Sequence, residues 1–137
     1  MENNGPEADQ KIFIAHSRQD SSVARALSRA LDRRGLTVLA EDPSARGARL
    51  GEGLRHALQS ASWYVVLVSE ESLDSPLVYF EIGAALAQGK PVLPVFLSAA
   101  ARRRAISPLK RHKGIAGERL TAKEIADKVA RAIQRAA

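Results

Sequence analysis

The chain has 137 residues, of which 45% are hydrophobic and 26% are charged, so its size and composition suit one globular domain and leave little room for two. It contains no cysteine, which excludes disulfides and thiolate metal sites, and its three histidines lie too far apart in sequence for metal-ligand spacing. The longest strongly apolar run, Trp63–Val68, is far too short to span a bilayer, so no membrane segment is expected.

The positive charge is concentrated at the end of the sequence. Residues 102–137 carry 11 Lys and Arg against 3 acidic residues, whereas residues 1–101 carry 10 against 12. Such a basic segment can attract nucleic acid, an acidic partner or a phosphorylated ligand, or it can be a solvated face. It contains no Phe, Tyr or Trp. Because nucleic-acid modules usually combine basic residues with aromatics, we do not expect nucleic-acid binding.

The chain begins with a polar segment and continues with a strand and an amphipathic helix. Residues 1–10 lack the basic and apolar regions of a signal peptide and predict a disordered lead to one domain over residues 11–137. A buried strand is expected at Lys11–Ala15. Apolar side chains then recur at helical spacing, at Val23, Leu27, Ala30 and Leu31. One of residues 20–22 can cap this helix, and Gly35 can end it.

The next segment contains a second strand, a long loop and a third strand. The second strand is expected at Leu36–Ala40. A loop rich in glycine and small residues follows over Glu41–Gly53, before a short helix at Leu54–Ser60. Trp63–Val68 is nearly all apolar and predicts the third strand.

The following helix and strand carry clear boundary residues. Pro76 suits the first turn of a helix, Leu77–Gln88 supplies its body, and Gly89 ends it. Pro91–Leu97 predicts a fourth strand. Its two prolines argue for an edge position or a local irregularity, because each proline removes a hydrogen-bond donor from the sheet.

The last part of the chain is less regular. Residues 99–120 predict a short Ala/Arg helix and then a small strand near Gly114–Gly117. Thr121–Glu124 forms a good capping box. A final helix is expected after it, with an apolar stripe of Ile125, Val129, Ala132 and Ile133.

Continuously apolar strands that alternate with helices predict a parallel sheet covered on both faces. The strand-to-helix loops then lie together at the carboxyl end of the sheet, where open α/β sheets bind ligands. These loops are residues 16–22, 41–53 and 69–76. The chain has no Gly-rich dinucleotide or phosphate-loop motif and no Gly-x-Ser-x-Gly motif, so common nucleotide-binding and hydrolase classes lack their signatures.

Glu81 is the strongest candidate for an active-site residue. It is the only ionisable group besides Tyr79 in the apolar helix segment Leu77–Leu86. A helix that is apolar all round is buried on most sides, and a carboxylate there loses solvation unless it has partners. The alternative is a structural Glu paired with an Arg, or one at the helix edge. Weaker candidates follow or open other strands, namely His16, Ser17, Glu41, Asp42, Arg46, Arg49 and Trp63.

Five segments occur in a characteristic order between Lys11 and Leu97. They are IFIAHS at 12–17, GLTVL at 35–39, SARGARL at 44–50, SPLVYFEIGAAL at 75–86 and GKPVLPV at 89–95. Together they resemble the Toll/interleukin-1 receptor (TIR) domain in its bacterial form. The resemblance implies a flavodoxin-like three-layer αβα fold with about five parallel strands.

The same resemblance implies a reaction. Many members of the family, bacterial ones especially, cleave the nicotinamide–ribose bond of NAD+ to give nicotinamide and ADP-ribose or a cyclic ADP-ribose isomer, in immune signalling. The family's catalytic Glu falls on Glu81. Substrate contacts would come from His16, Ser17, Arg18, Glu41, Leu50 and Leu77. Independently of the resemblance, Arg46 in the long loop is a candidate phosphate contact, or a residue that keeps the loop soluble. NAD+ would be the substrate, so neither a cofactor nor a metal is expected.

The resemblance also bears on partners. It implies self-association through the family's BB loop, here residues 41–53, together with separate sensor and effector proteins and a cytoplasmic location. Three functions stay open. Glu81 favours an NAD+-cleaving enzyme. Leu50 and Leu77 stand where the family often has an aromatic, which favours a non-enzymatic TIR–TIR adaptor. A nucleoside or nucleotide glycosidase of related fold would use the same Glu on a different substrate.

Overall fold

The computed structural model describes residues 10–39, 50–111 and 114–136, without the side chains of residues 50–54, 108 and 111. Five strands and six α-helices alternate along these ranges. The strands are β1 (Lys11–Ala15), β2 (Thr37–Leu39), β3 (Trp63–Val68), β4 (Val92–Phe96) and β5 (Ile115–Ala116). The helices are α1 (Ser21–Asp32), α2 (Leu50–Ser60), α3 (Pro76–Ala87), α4 (Ala99–Arg104), α5 (Ser107–Arg111) and α6 (Ala122–Ala136).

The strands form one parallel sheet in the order β2-β1-β3-β4-β5. Ile12 lies opposite Trp63, Tyr64 opposite Val92, and Val95 opposite Ile115. This is the flavodoxin-like doubly wound order, in which the direction of winding reverses between β1 and β3. A crevice therefore opens at the carboxyl ends of these two strands, which is where this topology binds ligands.

Helices cover both faces of the sheet, because alternate side chains of each strand point to opposite sides. On one face, Tyr64, Val66 and Val68 of β3 pack with buried residues of α2, α3, α4 and α5. On the other face, Val65 and Leu67 pack with buried residues of α1 and α6. The predicted three-layer αβα fold is thus confirmed.

The helix boundaries follow from local chemistry. Gly35 has a φ of 83° and Gly89 a φ of 69°, the left-handed region in which glycine ends helices. The backbone N–H of the next residue then turns back to an earlier carbonyl, from Leu36 to Leu31 and from Lys90 to Ala85. Both glycine stops are as predicted. The capping box is also confirmed, because Thr121 and Glu124 exchange side-chain-to-backbone hydrogen bonds at 2.8 and 3.1 Å.

The prediction of an edge position for the proline-containing strand was wrong. β4 lies between β3 and β5. The described residues of β5 lie opposite Val95 and Phe96, so none of the described pairs on that side involves Pro94. The missing N–H of Pro94 therefore removes no hydrogen bond from the described pairing of β4 with β5. The short strand itself lies within the predicted segment Gly114–Gly117.

The start of α2 and the capping of α1 also differ from the prediction. α2 begins at Leu50, so the end of the expected loop 41–53 is helical. Asp20 stands at the N-cap position of α1, but its side chain makes no capping hydrogen bond there. Among the described parts of the chain, no helix is both long enough and apolar enough to cross a membrane.

Candidate functional site at the carboxyl ends of β1 and β3

A buried hydrogen-bond network joins the loops that leave β1 and β3. Asp20 Oδ2 accepts hydrogen bonds from the hydroxyls of Ser17, at 2.8 Å, and Ser69. Asp20, Ser17 and Ser69 are 8%, 4% and 6% exposed, respectively. Because Ser17 follows β1 and Ser69 follows β3, one carboxylate oxygen links the two strands at the point where the winding reverses.

The loop after β3 is held by its own serines. Ser69 and Ser72 exchange backbone-to-hydroxyl hydrogen bonds at 2.8 and 3.0 Å. Ser75 then caps α3 by accepting from the backbone N–H of Val78 at 3.3 Å, and Pro76 takes the first helical position. The start of α3 is consequently fixed relative to the carboxyl end of β3.

A cleft of about 360 Å³ lies between these two loops. Its described lining is His16, Ser17, Arg18, Gln19, Glu71, Asp74, Ser75 and Leu77. The structure therefore brings together four side chains that the sequence predicted as substrate contacts, at positions 16, 17, 18 and 77. Glu71 and Asp74 were missed, although both lie in the polar loop after β3 that was expected at the ligand end of the sheet.

His16 is anchored at the mouth of this cleft. Its Nδ1 lies 2.7 Å from the backbone carbonyl oxygen of Ser17, so a proton on Nδ1 can be donated to that oxygen. With that tautomer, Nε2 is an acceptor. Asp74 Oδ1 lies 3.3 Å from a guanidinium nitrogen of Arg104. This ion pair offsets part of the negative charge that Glu71 and Asp74 bring to the cleft.

Glu81 lies one helical turn below Leu77 on α3. Residues four apart in a helix share a face and are separated by about 6 Å along its axis. Glu81 is 1% exposed, which confirms the predicted burial of this carboxylate. It is not among the lining residues of the 360 Å³ cleft and lies beneath its Leu77 wall.

The buried Tyr64 phenol of β3 senses the charge of Glu81. Burial raises the pKa of Tyr64, a hydrogen bond with Gln88 opposes the rise, and the negative charge of Glu81 adds to it. The Tyr64 hydroxyl itself donates to the backbone oxygen of Leu58. The negative charge of Glu81 is thus close enough to the Tyr64 phenol to contribute to its raised pKa.

The described structure does not place the side chains of the other three predicted contacts. Glu41 and Arg46 lie outside the described residues, and Leu50 is described only as the first residue of α2. Their proposed roles stay predictions. Within the described ranges, no group of three or more His, Cys, Asp or Glu side chains is arranged to hold a metal ion.

Comparison with known proteins identifies the fold family. A family model for the TIR domain matches residues 12–133. No curated protein sequence matches the chain.

Solved structures resemble the chain over most of its length. The TIR domain of the Toll-related receptor TRR-2 from Hydra magnipapillata has a TM-score of 0.69 at 14% identity, over 91% of this chain and 95% of that one. A CMP N-glycosidase from Clostridium botulinum has a TM-score of 0.65 at 18% identity, over 90% and 99%. The RPS4 and RRS1 TIR domain heterodimer gives 0.60 at 14% identity, over 92% and 97%. These likenesses concern the fold.

Proposed function

Because the chain belongs to the TIR domain family, we propose that it cleaves the N-glycosidic bond between nicotinamide and ribose in NAD+. The products would be nicotinamide and either ADP-ribose or a cyclic ADP-ribose isomer. The observation that carries the proposal is the position of Glu81, a carboxylate 1% exposed beneath the cleft at the switch point of the sheet. The setting we propose is bacterial immune signalling in the cytoplasm.

The chemistry of this bond suits a single carboxylate. Nicotinamide in NAD+ is already cationic, so it can leave with the bonding electron pair without a general acid. The ribose then acquires oxocarbenium character at C1′, as in glycoside hydrolysis. A fixed carboxylate stabilises that charge more in the transition state than in the ground state. The burial of Glu81 strengthens the effect, because charges interact more strongly where water is excluded.

Water completes the hydrolytic reaction. Its oxygen forms a bond to C1′, a proton is released, and ADP-ribose results. In the cyclising reaction, a nucleophile within the same molecule takes the place of water. In both cases nicotinamide leaves neutral and no oxidant or reductant is needed.

The cleft residues suggest how the substrate would be held. The Arg18 guanidinium is suited to the diphosphate, since arginine binds phosphate oxygens through two parallel hydrogen bonds. Glu71 and Asp74 place negative charge where a cationic nicotinamide ring would be favoured. Leu77 offers an apolar contact in place of the aromatic ring that the family often has.

Residues 41–53 would complete the site. We propose that Glu41, Arg46 and Leu50 contact the substrate and that this segment also mediates self-association, with a second copy or another TIR domain as the partner. The RPS4 and RRS1 TIR domains, which resemble this chain in fold, form a heterodimer. Separate sensor and effector proteins would supply the trigger and the response.

Nicotinamide release by Glu81 variants tests the proposal. The purified protein is incubated with NAD+ at high protein concentration, and products are separated by chromatography. We expect Glu81→Gln to lower turnover by about 100-fold or more, because it removes the charge but keeps the shape. The control is Glu124→Gln on α6, where Gln can also complete the capping box. Normal turnover in a folded Glu81→Gln protein would refute the assignment.

A nucleotide N-glycosidase is the second candidate, and the likeness to the CMP N-glycosidase favours it. That reaction breaks the same class of bond, but its leaving base is neutral and benefits from a proton donor. Release of cytosine from CMP without release of nicotinamide from NAD+ would replace the first proposal by this one. Inertness toward both, with self-association, would indicate an adaptor.

A further inference from the structure

A second and larger cleft lies at the opposite end of the sheet from the 360 Å³ cleft. Its volume is about 920 Å³. The starts of β3, β4 and β5 form its floor, with Trp63 and Pro91 among the lining residues, and the last turns of α6 form its wall. It opens at the amino ends of the strands, so it is separate from the site proposed for NAD+ cleavage.

The wall of this cleft is basic. Lys128, Arg131 and Arg135 of α6 line it, and its described lining contains no Asp or Glu. Asp127 holds Arg131 in an ion pair at 2.8 Å. Lys128 and Arg135 form no ion pair within the part of the chain that the structure describes. Two positive charges at this wall consequently lack a carboxylate partner among the described residues.

The helix dipole does not account for the whole of this arrangement. Like charges three and four residues apart on a helix repel each other. A cation in the last turn is favoured by the helix dipole, which accounts for Arg135. Lys128 lies two turns before the helix end, where the dipole has little effect. A bound anion would remove the repulsion at all three positions.

We propose that this cleft binds a small ligand that carries two or more phosphate groups. Its volume falls within the range of small-molecule sites, about 300–1,000 Å³. Lys128 and Arg135 are seven positions apart on α6, or about 10 Å along its axis, with Arg131 between them, which allows the three cations to contact phosphates in succession. Arginine forks suit phosphate oxygens, and Lys128 adds a mobile point charge. Half-buried Trp63 supplies an apolar wall for the rest of the ligand.

Titration calorimetry with inorganic pyrophosphate and with ATP, at constant ionic strength, tests the proposal. The Lys128→Glu/Arg135→Glu variant should bind at least about tenfold more weakly than the wild type. The control is Arg25→Glu/Arg29→Glu, which makes the same charge change at exposed positions on α1. It should bind within about twofold of the wild type, because neither residue lines the cleft. Circular dichroism establishes that each variant is folded.

Three results would overturn the inference. They are the absence of saturable pyrophosphate or ATP binding to the wild type, equal weakening by the control variant, and binding only to vesicles that contain phosphoinositides. The last result would assign the basic wall to a lipid headgroup at a membrane surface. Since none of these measurements involves NAD+ cleavage, they stand independently of the activity proposed for Glu81.

Discussion

Replacing Asp20 by alanine tests how the loops after β1 and β3 are held together. The substitution removes one acceptor oxygen that receives hydrogen bonds from Ser17 and Ser69. Hydrogen bonds to a charged group contribute about 1.5–3 kcal/mol each, and both hydroxyls are buried. Ser69 keeps a second contact, because its Oγ also accepts from the backbone N–H of Ser72. We therefore expect the free energy of unfolding to fall by about 2–4 kcal/mol.

An asparagine at the same position separates geometry from charge. Ser17 and Ser69 donate to one shared oxygen, so the side-chain carbonyl of the Asp20→Asn variant can accept both hydrogen bonds. The loss should be about 1 kcal/mol or less. Urea unfolding followed by circular dichroism measures both variants. Asp74→Ala, at an exposed Asp of the same loop region, is the control and should change stability by less than about 1 kcal/mol.

A double-mutant cycle completes the test. Asp20→Ala and Ser69→Ala should be coupled by at least about 0.5 kcal/mol, because the two side chains are in direct contact. Additive losses would show that the network does not join the two loops energetically. A loss in Asp20→Asn as large as in Asp20→Ala would show that charge, rather than the shared acceptor, matters.

Two further predictions concern the carbonyl of Leu58 near the end of α2. Tyr64→Phe should lower stability by about 1 kcal/mol at neutral pH through loss of the hydrogen bond to that carbonyl. Burial raises the pKa of Tyr64 in the folded state, so its contribution to the free energy of unfolding is complete below about pH 10 and is lost as the pH rises further. Between about pH 7 and pH 11, urea unfolding should therefore show a smaller loss of stability in Tyr64→Phe than in the wild type. Lys90→Met should lower the free energy of unfolding by about 1 kcal/mol, since Lys90 Nζ donates to the Leu58 and Gln59 carbonyls at 2.9 and 2.6 Å. The control in the same assay is Lys123→Met, at an exposed position on α6. An unchanged alkaline loss, or equal effects of the two lysine changes, would contradict these expectations.

Buried strands and helix ends were predictable because their signals are local. The predicted limits of Trp63–Val68 coincide with β3, since a strand covered on both faces is apolar throughout. Gly35 and Gly89 marked helix ends because few other residues adopt their backbone conformation. The start of α2 was missed, and the reason is also local. Glycines at positions 51 and 53 disfavour a helix by propensity, yet this segment is helical.

The candidate site was only partly predictable. Glu81 could be recognised because a carboxylate in an apolar helix is conspicuous. Asp20 was expected among the possible caps of α1, whereas its side chain bonds Ser69, which lies 49 residues away in sequence. No periodicity or spacing reveals such a pairing. The inclusion of Glu71 and Asp74 in the cleft likewise depends on how the loop after β3 folds back toward β1.

The short strands at both margins of the sheet limit how copies of this domain can associate. β2 has three residues and β5 has two, and they are the outer strands of the described sheet. A long exposed edge strand would be a template for pairing with another chain and for aggregation. These margins offer few backbone groups for such pairing. If copies of this domain associate, the described edges therefore favour contacts through side-chain surfaces and loops over growth of a continuous intermolecular sheet.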